Sequence, residues 1–196
     1  MKNLKSNVLP IFIVIAVMMS SSSCENNKSN DTKDTKEVAE EHNEAKFDIR
    51  DDEKDGQFLV NAAEFNMEVI SLSQLAQQRS NTKHLKELGK MLEDAHKKSL
   101  DDLTALAKRK SISIPISQTE NGKEAYKKLN EKTGNDFGKE YSDMMVKNHK
   151  DAITLFEKAS TDSADADILA WATESLPALR KHLDQALICQ TECDKL

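Results

Sequence analysis

The chain has 196 residues, of which 38% are hydrophobic, 32% are charged and only 5% are aromatic, and its formal net charge at pH 7 is −6. This length allows one domain of ordinary size together with a tail. Few aromatics, five glycines and three prolines favour helices with leucine, alanine and methionine seams over sheets. The mild negative charge, without a basic stripe, argues against nucleic acid as a partner, and three cysteines exclude a disulfide-dense scaffold.

The beginning of the chain has the order of features that is typical of a bacterial lipoprotein signal. Two lysines precede an apolar run over residues 8–19, which is followed by small serines and then by Cys24. An apolar core this short belongs to a secretory signal peptide rather than to a spanning helix. We therefore expect residues 1–23 to be removed and Cys24 to carry lipid that anchors the protein to the membrane. The alternative is an ordinary cleaved signal with an incidental cysteine, since Ser21 stands where leucine is commonest.

Residues 25–50 are rich in Asn, Lys, Asp, Glu and Thr and contain little that a core would bury. Such a composition predicts a flexible polar tether, in which His42 is a solvent-exposed residue of no particular role. The segment 24–50 would then hold the following domain a few nanometres from the membrane. The expected location is the cell envelope, where the protein would be lipid-anchored and either periplasmic or associated with the outer membrane.

From residue 51 onward, apolar residues recur at steps of three and four, which predicts amphipathic helices. Four long helices are expected in a domain over residues 51–190, followed by a C-terminal tail over residues 191–196. A break around Pro115 separates the second long helix from a short helix over residues 120–131. The expected fold is therefore an all-α, antiparallel four-helix bundle with a short extra helix in the long connection.

Three histidines lie on the apolar faces of three different predicted helices. His96 has a leucine four residues away on either side, and His149 and His182 show the same helical spacing. An inward-facing imidazole needs a partner, because an unpaired buried polar group costs about 1–3 kcal/mol. Helical bundles build metal sites at such positions, commonly from Glu and Glu-x-x-His sets. Glu93 has this spacing to His96, and Glu64 lies beside the apolar stripe of the first long helix.

The other two histidines lack such a carboxylate, because Val146 and Leu179 occupy the positions three residues before them. This argues against a di-iron carboxylate centre. A single transition-metal site, made of two or three of the histidines with Glu93 or Glu64, remains one interpretation. The other is that each histidine is structural and forms hydrogen bonds within the core.

Cys189 and Cys193 are four residues apart near the end of the chain. In an intact helix this spacing suits metal ligands on one face better than a relaxed disulfide. In an oxidising envelope, at a frayed C-terminus, a small disulfide or an inert pair is the preferred interpretation. No catalytic residue is assigned, because the sequence contains no nucleophile elbow, phosphate-binding glycine loop or zincin motif.

Several blocks of residues resemble a known family. They are Phe58 with Ala62-Ala63-Glu64, Leu72-Ser73-Gln74-Leu75-Ala76, Lys90-Met91-Leu92 ahead of His96, Ile114-Pro115, the set Asp136-Phe137, Tyr141, Met145-Val146, His149 and Phe156, and Leu176-Pro177, Leu179 and His182-Leu183. On these blocks, residues 55–189 resemble a bacterial family of uncharacterised exported proteins often labelled "predicted outer membrane protein". The resemblance implies a ferritin-like helical bundle outside the cytoplasm and no established activity. Ala95 and Val69 stand where the family usually or often has an acid.

Two functions remain open at this point. The preferred one is a non-enzymatic envelope or stress-related lipoprotein whose bundle presents a surface to a protein partner. The other is a metal-binding bundle with a redox or storage role, in which the inward-facing histidines hold a transition metal.

Overall fold

The computed structural model describes residues 33–47 and 50–195, so the predicted signal peptide and the lipidation site Cys24 lie outside the described residues. Within these ranges the chain forms six helices and no strands, which confirms the all-α prediction. The helices are α1 (Thr35–Glu44), α2 (Arg50–Arg79), α3 (Lys83–Lys110), α4 (Glu120–Asn130), α5 (Gly134–Asp162) and α6 (Ala166–Cys193). None of these helices combines the length and the apolar character that crossing a membrane requires.

The four long helices pack as a bundle around a shared core. Short turns join α2 to α3 and α5 to α6, so each of these pairs runs antiparallel. Contacts of α2 with α5 and of α3 with α6 bring the two pairs together. Large side chains that are almost completely buried between the helices include Leu72, Leu92, Tyr141 and Phe156.

Within the predicted flexible polar tether, residues 35–44 form a helix, α1. It begins after Asp34, whose side chain accepts a hydrogen bond from a backbone N–H in the first turn. Ala39 and Asn43 are buried, and the Asn43 amide both donates to and accepts from the backbone of Ser113. One face of this polar segment is therefore packed against the rest of the domain. His42 is exposed, as predicted.

The boundaries of the other helices follow signals in the sequence, with one correction. The short extra helix is confirmed as α4, and α3 begins after Thr82. At the start of α6, the Asp165 carboxylate accepts hydrogen bonds from two backbone N–H groups, which is an effective N-cap. Helix α6 continues to Cys193, so the predicted tail over residues 191–196 begins inside the helix.

Candidate metal centre

Three imidazoles meet in the middle of the bundle: His96 from α3, His149 from α5 and His182 from α6. The centroids of their rings are 5.3, 5.2 and 5.6 Å apart, and one ring nitrogen of each lies within 4.8 Å of those of the other two. Their exposed fractions are only 2%, 0% and 8%, respectively. The three histidines that were selected from their helical spacing therefore form one buried cluster, which we call the histidine layer.

Helix α2 contributes no ligand to this layer but orients one of its rings. The Asn66 side chain donates through Nδ2 to the carbonyl oxygen of Ala62 at 2.8 Å. Its Oδ1 atom therefore faces His96 Nδ1, which lies 2.9 Å away. Because an amide oxygen can only accept, the proton of the neutral His96 ring must lie on Nδ1. Phe65 completes this side, with its ring 5.0 Å from His96 and 5.5 Å from His149, edge to face.

The tautomer of the second ring is fixed in the same way. His149 Nδ1 lies 2.8 Å from the carbonyl oxygen of Met145, so this nitrogen carries the proton of the neutral ring. The Nε2 atoms of His96 and His149 are then both unprotonated, and they lie 3.3 Å apart. Two facing lone pairs do not form a hydrogen bond, and a cation between them would satisfy both.

The separation of these two nitrogens suits a metal ion. Metal–nitrogen bonds of about 2.0–2.1 Å with tetrahedral angles place two nitrogen ligands about 3.3–3.4 Å apart, and the observed Nε2–Nε2 distance is 3.3 Å. His182 adds a third ring nitrogen to this cluster, and its buried Nδ1 atom has no hydrogen-bond partner among the described residues. Imidazole nitrogens are good ligands for zinc, copper, iron and nickel.

The surroundings keep the three rings neutral, which is the form that binds metal. Burial lowers the pKa of His149 to about 4, against an opposing effect of the hydrogen bond to Met145. Burial, with a smaller contribution from the nearby Lys181 charge, lowers the pKa of His182 to about 4. The pKa of His96 is lowered well below its ordinary value, first by burial and then by the other two imidazoles.

A cleft of about 350 Å³ leads to this cluster from the surface. His96 and His182 line this cleft together with Lys98, Trp171 and Glu174, among other side chains. Three protein ligands leave one position of a tetrahedral ion unfilled, as in catalytic zinc sites. The cleft gives room for a water molecule or a small anion at that position.

Neither predicted carboxylate ligand lies in the histidine layer. Glu93 accepts hydrogen bonds from Gln74 at 2.8 Å and Gln77 at 2.6 Å, and it pairs with Lys97 at 2.6 Å. These partners, Lys97 foremost, lower the pKa of Glu93 to about 2. Three residues of α-helix turn by about 300°, so Glu93 points about 60° away from His96, toward α2.

Glu64 is likewise occupied elsewhere. It pairs with Lys36 of α1 at 2.5 Å and accepts hydrogen bonds from Thr119 at 2.9 Å and Asn121 at 3.1 Å. This carboxylate joins α1 and α4 to α2. Within the described part of the chain, the ligand group at the bundle centre therefore contains three histidines and no carboxylate.

The two cysteines do not form the disulfide that was one half of the preferred prediction, the other half being an inert pair. Cys189 and Cys193 are both buried free thiols rather than a disulfide within the described residues. The prediction assumed a frayed C-terminus, but α6 is helical as far as Cys193. Cβ atoms four residues apart in a helix are about 5–6 Å from each other, whereas a disulfide needs about 3.5–4.5 Å.

Two residues of these clusters escaped the sequence reasoning. Asn66 lies on the apolar stripe of α2, four residues after Ala62 and three before Val69, so its helical spacing indicates an inward-facing side chain as it does for the histidines. His84 gave no such signal, because it stands among lysines near the start of α3. Its Nε2 atom lies 3.7 Å from the sulfur of Cys193.

Comparison with known proteins identifies one family. A family described as a domain of unknown function (DUF4142) matches residues 32–187 of the chain. The matched stretch contains α1, all three histidines of the layer and Asn66, and it stops before the two cysteines. No curated protein and no solved structure matches the chain.

Proposed function

Since the chain belongs to the DUF4142 family, a domain of unknown function, we propose from its own geometry that it is a transition-metal-binding helical bundle. One ion would be held by His96 Nε2, His149 Nε2 and His182 Nδ1. The observation that carries this proposal is the pair of unprotonated nitrogens 3.3 Å apart in a cluster that also contains one ring nitrogen of His182. A purely structural histidine cluster has no need to bring lone pairs together.

The three ligands indicate which metal ion the site would bind and what role the bound ion would have. Three neutral imidazoles without a carboxylate suit zinc or copper, which bind nitrogen ligands more strongly than manganese or iron do. The site has room for one ion, which supports single-ion binding or redox use rather than storage of a mineral. Because the ligands leave the charge of a divalent ion uncompensated, a hydroxide or another small anion from the cleft is the favoured fourth ligand.

The cellular location of the protein is part of the same proposal. We propose that Cys24 is lipidated after removal of residues 1–23, and that the four long helices adopt the ferritin-like arrangement in the cell envelope. The support is the order of charge, apolar core, small residues and cysteine at the start of the chain. Cells that express the full chain should incorporate a labelled fatty acid into it, and Cys24→Ser should abolish the label. Incorporation that is unchanged in Cys24→Ser would refute the anchor.

The metal proposal is tested on the full chain without a His tag, in a background in which Cys24, Cys189 and Cys193 are all serine. This background removes thiol binding. We expect elemental analysis and calorimetric titration to find one equivalent of zinc or copper. Changing His149 or His182 to Ala should weaken binding more than 100-fold, because each loses one of three ligands. His42→Ala is the matched control, since this imidazole is exposed on α1.

The alternative function predicts a different result. If the histidines are structural and the bundle serves as a non-enzymatic surface for an envelope partner, no stoichiometric ion will bind. Equal affinities in the His149→Ala and His42→Ala proteins would also reject the metal site. Circular dichroism of each variant establishes that the helices are intact before the affinities are compared.

A further inference from the structure

We propose that the chain has a second metal site, of the Cys2His type, formed by His84 of α3 with Cys189 and Cys193 of α6. Its occupant would be a zinc-like divalent ion bound by two thiolates and one imidazole. The site is separate from the histidine layer, since Cys189 is seven residues beyond His182, or about 10 Å along the helix axis. Both cysteines lie outside the stretch that matches DUF4142, so this site would be a feature added to the family domain.

The three ligand atoms are already close to coordination distance. One ligand atom from each residue lies within 4.8 Å of the other two, and His84 Nε2 is 3.7 Å from Cys193 Sγ. Metal–nitrogen bonds of about 2.0–2.1 Å and metal–sulfur bonds of about 2.3 Å with tetrahedral angles place N and S about 3.6 Å apart. A small inward movement of Cys189 would complete the triad.

The packing around Cys193 leaves room for its sulfur. A Cβ atom added to Gly138 of α5 would lie 3.3 Å from Cys193 Sγ and 3.0 Å from Leu85 Cδ1. The absence of a side chain at Gly138 therefore lets the Cys193 thiol lie between α5 and the first turn of α3, which contains His84. The exposed fractions of Cys189 and Cys193 are 4% and 1%.

The same helix that aligns the thiols disfavours their oxidation to each other. A Cys189–Cys193 disulfide would require the last turn of α6 to unwind, because helical Cβ atoms at this spacing are about 5–6 Å apart. A tetrahedral ion tolerates a sulfur–sulfur distance of about 3.8 Å, which needs less distortion. The geometry therefore favours a bridging ion over a bridging bond.

Because the two cysteine thiols are buried, an ion must displace their protons in order to bind. Burial raises the pKa of Cys189 to about 12 and also raises that of Cys193, although the Ser142 hydroxyl opposes the latter effect. The thiols are thus protonated without an ion. Binding of a divalent ion would form two metal–sulfur bonds and release two protons to water. A cleft of about 420 Å³ lined by His84 and Cys189 gives the ion and its fourth ligand, a water, access from the surface.

Cobalt(II) is the probe that separates the two sites, because thiolate ligands give an intense sulfur-to-cobalt charge-transfer absorption and imidazoles do not. The full chain is titrated under reducing conditions in a Cys24→Ser background, so that only the two thiols of this site remain. We expect the absorption to saturate at one equivalent of thiolate-bound cobalt. It should disappear in Cys193→Ser, and the affinity should fall at least tenfold in His84→Ala.

His149→Ala is the matched control, because it removes a ligand of the histidine layer and should leave the charge-transfer absorption unchanged. If the histidine layer binds no metal, the thiolate–cobalt absorption should still appear. If this absorption is absent, metal binding by the histidine layer is unaffected. A second measurement needs no variant in the site: excess zinc should slow alkylation of both thiols by at least tenfold. Absence of the absorption, an unchanged affinity in His84→Ala, or alkylation that is indifferent to zinc would each overturn the proposal.

Discussion

The histidine layer and the carboxylates Glu93 and Glu64 began as one set of candidate ligands, and the structure separates the carboxylates from the histidines. His96 and Glu93 are one helical turn apart on α3, yet His96 faces the other imidazoles while Glu93 faces Lys97 and two glutamine amides. Glu64 of α2 likewise points outward, to α1 and α4. Spacing of three residues is enough to move a side chain from the interior to the boundary of the bundle.

The electrostatics of the two regions are opposite. In the interior, burial disfavours the charged form and lowers the pKa values of three bases. At the boundary, Lys97 and two amides stabilise the charged form of an acid and lower the pKa of Glu93 to about 2. The bundle centre thus presents neutral donors without charge compensation, which is an environment for a cation with an open position rather than for a carboxylate-bridged metal pair.

The largest difference between the histidine layer and the carboxylates is expected in the folding stability of the metal-free protein as the pH is lowered. His149 has a pKa of about 4 in the folded state and about 6.5 when unfolded, so the unfolded chain binds more protons between these values. Stability is therefore complete above pH 6.5 and falls as the pH decreases toward 4. The full shift amounts to roughly 3 kcal/mol for His149 alone. Urea unfolding at pH 7.5, 5.5 and 4.5 measures this loss.

Glu93 serves as the internal reference for that experiment. Its lowered pKa contributes stability that is present above pH 4.5 and is lost only as the pH falls toward 2. The two regions therefore lose stability in separate windows. His149→Gln should flatten the decline between pH 6.5 and 4, and His42→Ala should not. A decline that begins only below pH 4.5 would mean that the imidazoles are not buried in their neutral form.

Much of the fold was predictable from the sequence, because helical periodicity is a local property. The apolar spacing at steps of three and four and the break at Pro115 indicated helices that the structure contains. Helix α1 was not predicted because its packing depends on only two buried residues, Ala39 and Asn43. These two residues stabilise α1 through contacts with α2 and the long connection, and such tertiary contacts cannot be inferred from composition.

The candidate site was predictable only in part, for the same reason. Periodicity assigned His96, His149 and His182 to interior faces, but it did not determine the height at which the helices pack against each other. The carboxylates were misassigned because a side chain beside an apolar stripe has partners on neighbouring helices, such as Gln77 for Glu93 and Thr119 for Glu64. Tertiary neighbours decide between a ligand and a boundary ion pair.

The next effect in size concerns Asn66, which holds His96 in the tautomer that the metal site needs. Asn66→Ala should weaken zinc or copper binding about 10–100-fold, as loss of a group that orients a ligating histidine commonly does. It should also destabilise the metal-free protein by about 1–3 kcal/mol, because His96 Nδ1 loses its partner. Titration calorimetry and urea unfolding measure the two effects separately.

Asn43→Ala is the matched control for that change. Asn43 is also a buried amide with hydrogen bonds at 2.9 and 2.8 Å, but its partner is the backbone of Ser113, away from the histidine layer. It should lower stability by a similar amount and leave metal affinity unchanged. Equal affinities in the two variants would show that Asn66 contributes to packing alone.

The smallest effect should come from the carboxylates themselves. Glu93→Gln and Glu64→Gln remove the charges that the sequence offered as ligands but leave the side-chain volumes. Because neither carboxylate lies in the ligand group, metal affinity should change less than threefold. Glu93→Gln should cost about 1 kcal/mol of stability through its contact with Lys97. A tenfold loss of affinity in either variant would bring a carboxylate into the coordination shell and restore the mixed Glu/His site that the sequence suggested.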